Sequence, residues 1–298
     1  MHSLTFLTAF YSLLVAAWAA PAPLEARSVS ASQLTQFSLY EQYAAAAYCK
    51  DDNDNSAGAI ICNSNVCPQV QTNGATSVYE FSDLGATDAT GFIAIDNPNK
   101  LIVLSYRGSR SLLNFLGDVN FAFVETDICD GCQVHAGFFD SWTSSRDGVS
   151  QALAQAHQQY PGYTLVTTGH SLGAAVATLA AADLRQQGFN IALYTYGSPM
   201  VGNDVFANFV TAQTNGNFRI THAADAVPKL PGYLLSYRHV SPEYWINKPS
   251  GQTVAAGDIQ MSTGILDLKG NGRTLTATLT DHLWYFNAIT ACKSGFEL

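Results

Sequence analysis

The stretch Tyr163-Thr164-Leu165-Val166-Thr167-Thr168-Gly169-His170-Ser171-Leu172-Gly173 leads directly into Ala174-Ala175-Val176-Ala177-Thr178-Leu179-Ala180-Ala181-Ala182. Five of its first six residues, all but Leu165, are the β-branched and aromatic types that favour a strand, and its alanine-rich continuation is a strong helix former. Between them stands a serine flanked by glycines in the pattern G-x-S-x-G. A serine on so sharp a strand-to-helix turn is held out with its hydroxyl exposed, and the glycines are required because a Cβ would collide with the adjoining strand and helix. The pattern points to acyl transfer through Ser171.

Strand-like and helical runs alternate on both sides of this turn. Phe92 to Asp96 and Leu101 to Tyr106 read as a hairpin around Asn97-Pro98-Asn99-Lys100. Residues 141–160 carry Trp142, Val149, Leu153 and Ala156 at helical spacing, and Pro161-Gly162 ends them. The order continues as strand 163–168, helix 173–187, strand 190–196, helix 203–213 and strand 217–222. Such alternation predicts an α/β fold with a mainly parallel sheet, helices on both faces, and a site at the carboxyl ends of the strands.

The N-terminus has an apolar core from Phe6 to Ala17 followed by Ala17-Trp18-Ala19. It reads as a secretory signal peptide over 1–19, too short for a membrane span. Residues 20–27 then form a Pro-rich pro-segment ending at Arg27, and 28–298 form a single catalytic domain; a chain of 47% hydrophobic composition overall can bury one large core there. The expected product is a soluble, secreted, extracellular monomer without integral membrane association. A net charge of -9, unchanged by processing because the removed segment carries one Glu and one Arg, disfavours nucleic acid or an anionic membrane as partner.

Six cysteines in a secreted chain suggest three disulfides among fifteen pairings. Spacing favours Cys62 with Cys67 and Cys129 with Cys132 as local clips, leaving Cys49 to meet Cys292. By loop entropy that last bridge contributes roughly 5 kcal/mol. Cys129-x-x-Cys132 as a redox or metal pair is the weaker reading, since no second ligand pair accompanies it and Asp130-Gly131 suits a tight turn. No metal-ligating constellation stands elsewhere, the chemistry calls for no cofactor, and the chain holds no Asn-x-Ser/Thr sequon.

Ser171 needs a base in reach and an acid to orient that base, in the chain order Ser, Asp or Glu, His. His135, His157, His170 and His222 precede the expected acid, which leaves His239 and His282. His282 is preferred, because it opens a predicted terminal helix that Cys292 would tether. Asp225 is the expected acid, lying just beyond the strand that ends at His222. Asp183 and Asp204 fall within helices and read as solvated, while Asp258, Asp267 and Asp281 read as surface or capping residues. The oxyanion requires preorganised donors. Leu172 offers its backbone N–H at the start of the helix, and Ser109, in the Arg107-Gly108-Ser109-Arg110 loop, offers a second donor. In the segment that follows, Leu112, Leu113, Phe115 and Leu116 form one apolar helical face before Gly117. The expectation is a movable helical lid over about 110–118, able to turn its face to a lipid surface.

These residues, together with Ala46-Ala47-Tyr48-Cys49, Val134-His135-Ala136-Gly137-Phe138, Tyr194-Thr195-Tyr196-Gly197-Ser198-Pro199, Ser241-Pro242-Glu243-Tyr244-Trp245 and His282-Leu283-Trp284-Tyr285-Phe286, resemble the class 3 triacylglycerol lipase family of secreted fungal lipases. The resemblance covers essentially the whole mature chain. It implies the α/β-hydrolase fold, a triad of Ser171, Asp225 and His282, an oxyanion hole at Ser109 and Leu172, a helical lid and the three disulfides above. Asp118 and His170 are expected to support the site. Phe115 stands where many members have Trp, and Leu113 replaces a common charged residue, which makes the lid greasier than usual. The expected activity is hydrolysis of acylglycerol esters at a lipid–water interface. A feruloyl esterase, which would carry a polar lid, and a phospholipase A1 or galactolipase are the enzymatic alternatives. An inactive binding protein on the same fold is disfavoured because all triad and oxyanion positions are filled.

Overall fold

The structure is a computed structural model that describes residues 29–52, 54–109 and 121–292. The signal and pro-segment boundaries lie outside these residues. An eight-stranded sheet runs in the order β1 (Thr76–Leu84), β2 (Ala89–Asp96), β3 (Leu101–Tyr106), β6 (Thr164–His170), β7 (Ile191–Tyr196), β8 (Asn217–His222), β9 (Glu243–Ile246), β10 (Ile259–Ser262). The pairings from β3 through β9 are parallel, while β1, β2 and β10 join antiparallel at the edges. Short strands β4 (Phe123–Glu125) and β5 (Gln133–His135) form a separate ribbon. This is the α/β-hydrolase arrangement.

Burial explains the continuous apolar runs. β2 and β3 are buried throughout, as expected for strands covered on both faces. Phe92, Ala94 and Val103 join the core beneath α1 (Ala31–Ala46), while Ile93, Ile95, Ile102 and Leu104 join the core beneath α3 (Ala136–Gln159) and α4 (Leu172–Gln186). Two short helices, α2 (Pro68–Thr72) and α5 (Asp204–Ala212), complete the layers. α1 starts at a capping box, in which Ser30 and Gln33 satisfy each other's backbone N–H groups. α3 begins five residues before the predicted 141, because His135 caps it by accepting the Gly137 N–H at 3.1 Å.

The predicted hairpin, the β6–α4 turn and the strand at 217–222 are all observed. The predicted terminal helix is not. His282 lies in a single 3-10 turn, Thr280–Leu283, and no α-helix follows among the described residues. That segment is fixed by side chains instead of a helical ladder: Asn287 donates to the buried Glu41 and to the Val66 carbonyl, both at 2.9 Å. The three disulfides are Cys49–Cys292, Cys62–Cys67 and Cys129–Cys132.

Beside Cys49, Asp52 is 1% exposed and accepts the Ile61 N–H at 2.7 Å. Burial pushes its carboxyl up to about 7; the Ile61 bond opposes this, and Glu80, Asp51 and Asp54 add to it. The fold therefore prefers protonated Asp52. Its contribution to stability is full below the ordinary carboxylate range and is lost as pH rises through about 7. Asp52→Asn, which keeps the acceptor for Ile61, should raise the melting temperature at pH 8 and leave it little changed at pH 4. Equal shifts at the two pH values would exclude this titration as the cause.

Candidate active site

Four strand ends converge on one region. β6 delivers Ser171, β7 delivers Gly197, β8 delivers Asp225 three residues past its end, and β3 delivers the Arg107-Gly108-Ser109 loop. Ser171 has φ 59 and ψ -128, a positive φ imposed on a residue with a Cβ. The turn is held because its N–H donates to the Tyr196 carbonyl at 2.9 Å. A Cβ on Gly169 would stand 2.4 Å from the Gly173 carbonyl oxygen, and one on Gly173 would stand 2.3 Å from that of Tyr106. Both glycines are thus demanded by close backbone approach. The second contact also packs the start of α4 against the loop that carries Ser109.

Asp225 is fully buried and receives three donors. His282 Nδ1 donates at 2.9 Å to Oδ2, Tyr285 Oη at 2.6 Å to the same oxygen, and the Val227 N–H at 2.9 Å to Oδ1. Such a shell satisfies both oxygens of the buried carboxylate without solvent. The other nitrogen of His282, Nε2, and the Ser171 hydroxyl are buried with no hydrogen-bond partner. An imidazole bound at one nitrogen and unpartnered at the other, together with an unpartnered serine hydroxyl, supplies the groups that acyl transfer needs.

The loop bearing His282 is held by His170, whose supporting place the sequence anticipated, and by Tyr48 and His222, whose roles it did not. His170 Nε2 donates to the His282 carbonyl at 2.9 Å, and this fixes its Nδ1 as the acceptor of the Tyr48 hydroxyl at 2.8 Å. Burial keeps that phenol above its usual range, so it remains a donor. His222, also buried, places its ring nitrogens 2.9 Å from the Asp281 carbonyl and 2.7 Å from that of Lys248. Asp281 in turn caps Ala224, which fits its expected role. Gly197 is the least anticipated member. Its φ is +59, and a Cβ there would meet Tyr285 Oη, Asp225 Oδ2 and His282 Cε1, each within 3.0 Å. Its position after a strand, ahead of Ser198-Pro199, was the one available signal.

Tyr285 is held well above the usual phenol range, first by burial and then by the Asp225 carboxylate, and so stays protonated. Tyr285→Phe should cost about 1–3 kcal/mol of stability through loss of a bond to a buried charged group. The checks are thermal melting and kcat on a soluble ester, and a variant matching wild type in both would remove Tyr285 from this role.

The competing candidates are committed elsewhere. His239 is buried with Nε2 donating to the Pro228 carbonyl at 2.7 Å, and its basicity is driven well down by burial and by Arg219. Asp204 is exposed on α5, but Asp183 is not solvated as expected: it accepts Trp142 Nε1 at 2.8 Å and lies 3.6 Å from Arg146. Asp258 caps Ala255. Asp267 is buried, not on the surface, and caps Lys269. The lid residues Leu112, Leu113, Phe115 and Leu116, and the supporting Asp118, lie outside the described residues.

The chain is 45% identical over 295 residues to the secreted mono- and diacylglycerol lipase A of Penicillium cyclopium, covering 97% of this chain and 96% of that protein. The chain belongs to the class 3 lipase family. The family model, Lipase (class 3), matches residues 103–234, and the model of the lipase 3 N-terminal region matches 6–79. Among solved structures, the mono- and diacylglycerol lipase from Aspergillus oryzae superimposes with a TM-score of 0.84 at 40% identity, covering 88% of this chain and 99% of that one. A triacylglycerol lipase whose catalytic centre is described as a serine protease triad superimposes at 0.79 with 30% identity, covering 89% and 99%. This lipase is accordingly a carboxylic ester hydrolase, and its described helices include none long and apolar enough to cross a membrane.

Proposed function

We propose that this lipase cleaves acylglycerol esters outside the cell, at a lipid–water interface, through an acyl-enzyme on Ser171. His282 Nε2 takes the hydroxyl proton as Ser171 Oγ attacks the ester carbon, then gives it to the departing glyceride oxygen. Water reverses the sequence and frees the fatty acid. Asp225 holds the imidazole in the tautomer with its proton on Nδ1 and stabilises the imidazolium that forms. Leu172 is the first residue of α4, so its N–H has no carbonyl to meet within the helix and is available to the oxyanion, with Ser109 as the second donor.

The observation that carries this reading is the pairing of a strained, unpartnered Ser171 hydroxyl with a buried His282 whose Nδ1 is bound to Asp225 and whose Nε2 is vacant. Secretion is supported by the relative's name and by the three disulfides. Tri-, di- and monoacylglycerol emulsions of one acyl chain, assayed beside a feruloyl ester and a phospholipid, test the substrate class. Acylglycerols should be turned over fastest, and a faster feruloyl ester would overturn the assignment. A second reading, preference for partial glycerides, is favoured by the name of the 45% identical relative, and the same series decides it.

A further inference from the structure

Five of the eight large hydrophobic side chains exposed among the described residues lie on just two loops: Leu234 and Leu235 on one, Leu266, Leu268 and Leu275 on the other. Leu234 and Leu275 are fully exposed, at 102% and 104%. The loops are stitched together. Tyr233 Oη donates to the Asp267 carbonyl at 3.2 Å, and Lys229 Nζ donates to the carbonyl of Thr274 at 2.9 Å and to that of Thr276. The second loop is then tied to the active site, where Thr278 pairs with the backbone beside Asp225. The leucines therefore share a surface that adjoins the catalytic acid.

The charge of this region departs from that of the whole chain. Residues 229–276 carry five Lys and Arg against three Asp and Glu, in a protein of net charge -9. Of the three acids, Glu243 and Asp267 are buried and Asp258 is paired with Lys248 at 2.7 Å, whereas Lys269 and Arg273 are exposed between Leu268 and Leu275. Exposed leucines alternating with cations, on ground cleared of free carboxylates, match a surface that is apolar below and anionic at its boundary.

We propose that these two loops form a lipid-surface anchor, built without residues 110–118, that seats the enzyme on interfaces carrying carboxylate headgroups. It rests on the acyl-hydrolase reading in one respect: the fatty acid released by the reaction supplies such carboxylates, so the anchor tightens as hydrolysis proceeds. The whole-chain charge argues against an anionic surface only at distances where the local cations are averaged away, and screening limits it to about 8 Å in physiological salt.

The test uses the full chain carrying Ser171→Ala, so that nothing is hydrolysed, and flotation with phosphatidylcholine vesicles with and without oleate. Leu234→Ser with Leu275→Ser should lower partitioning about tenfold or more on both vesicle types. Lys269→Glu with Arg273→Glu should lower it about tenfold on oleate vesicles alone, an effect that high salt abolishes. Unchanged flotation of the leucine variant overturns the proposal. So does sedimentation showing that wild type self-associates through these leucines and the variant does not, which would assign the surface to a second copy of the chain. A charge variant equally impaired on neutral vesicles overturns the anionic preference. Both pairs of substitutions, placed in active enzyme, should leave turnover of a dissolved short-chain ester at the wild-type rate, and it is absence of that turnover in the wild type that would count against the catalytic assignment.

Discussion

Ser171→Ala should lower kcat on a soluble ester by about 10⁶ while leaving the thermal transition close to that of wild type. The magnitude follows from what removal of the nucleophile costs in another triad hydrolase. The stability expectation is specific to this site. The Ser171 hydroxyl makes no hydrogen bond, so its removal leaves no buried group unpaired, and the strained φ of 59 is shared by the alanine. Kinetics and calorimetry on the same preparation check both halves. Activity within tenfold of wild type would falsify the assignment of Ser171, and a large fall in melting temperature would mean that the lost rate reports unfolding.

Asp225→Asn should lower kcat by about 10⁴ and, unlike the first substitution, should also destabilise the fold. Three donors converge on the Asp225 carboxylate, from His282 Nδ1, Tyr285 Oη and the Val227 N–H. An amide in their place presents an NH₂ group to at least one of them, and one donor loses its acceptor in a dry site. The imidazole then either turns its proton to Nε2, where it can no longer accept the serine proton, or swings away. A variant that keeps the wild-type melting temperature and more than a tenth of the rate would show that another carboxylate orients His282.

The strands, the main helices and the nucleophile turn were legible because they are local. The continuous apolar runs of β2 and β3, the Ala-rich α4 and the glycines around Ser171 leave their pattern within a few residues. Asp225 and His282 were reached by chain order and strand position, which are also nearly local. What the sequence hid depends on long-range contact. Tyr285, Gly197 and His222 act on residues drawn together from strand ends distant in sequence, and apart from the place of Gly197 after a strand their immediate neighbours do not announce it. The terminal helix failed for the same reason. Residues 284–292 follow their side-chain partners Glu41, Val66 and Asp225 rather than an intrinsic helical preference. Asp183 misled because helical spacing gives a face, and the face here meets Trp142.

The bridge from Cys49 to Cys292 closes a covalent ring with 243 residues of separation, and Ser109, Ser171, Asp225 and His282 all lie inside it. If the enzyme is secreted as proposed, and so meets extracellular proteases, that topology has a consequence for survival after damage. One cut anywhere in the ring opens it to a linear chain but detaches none of these four residues from the others. The noncovalent sheet then has only to hold its two new ends in place for the nicked molecule to keep turning over.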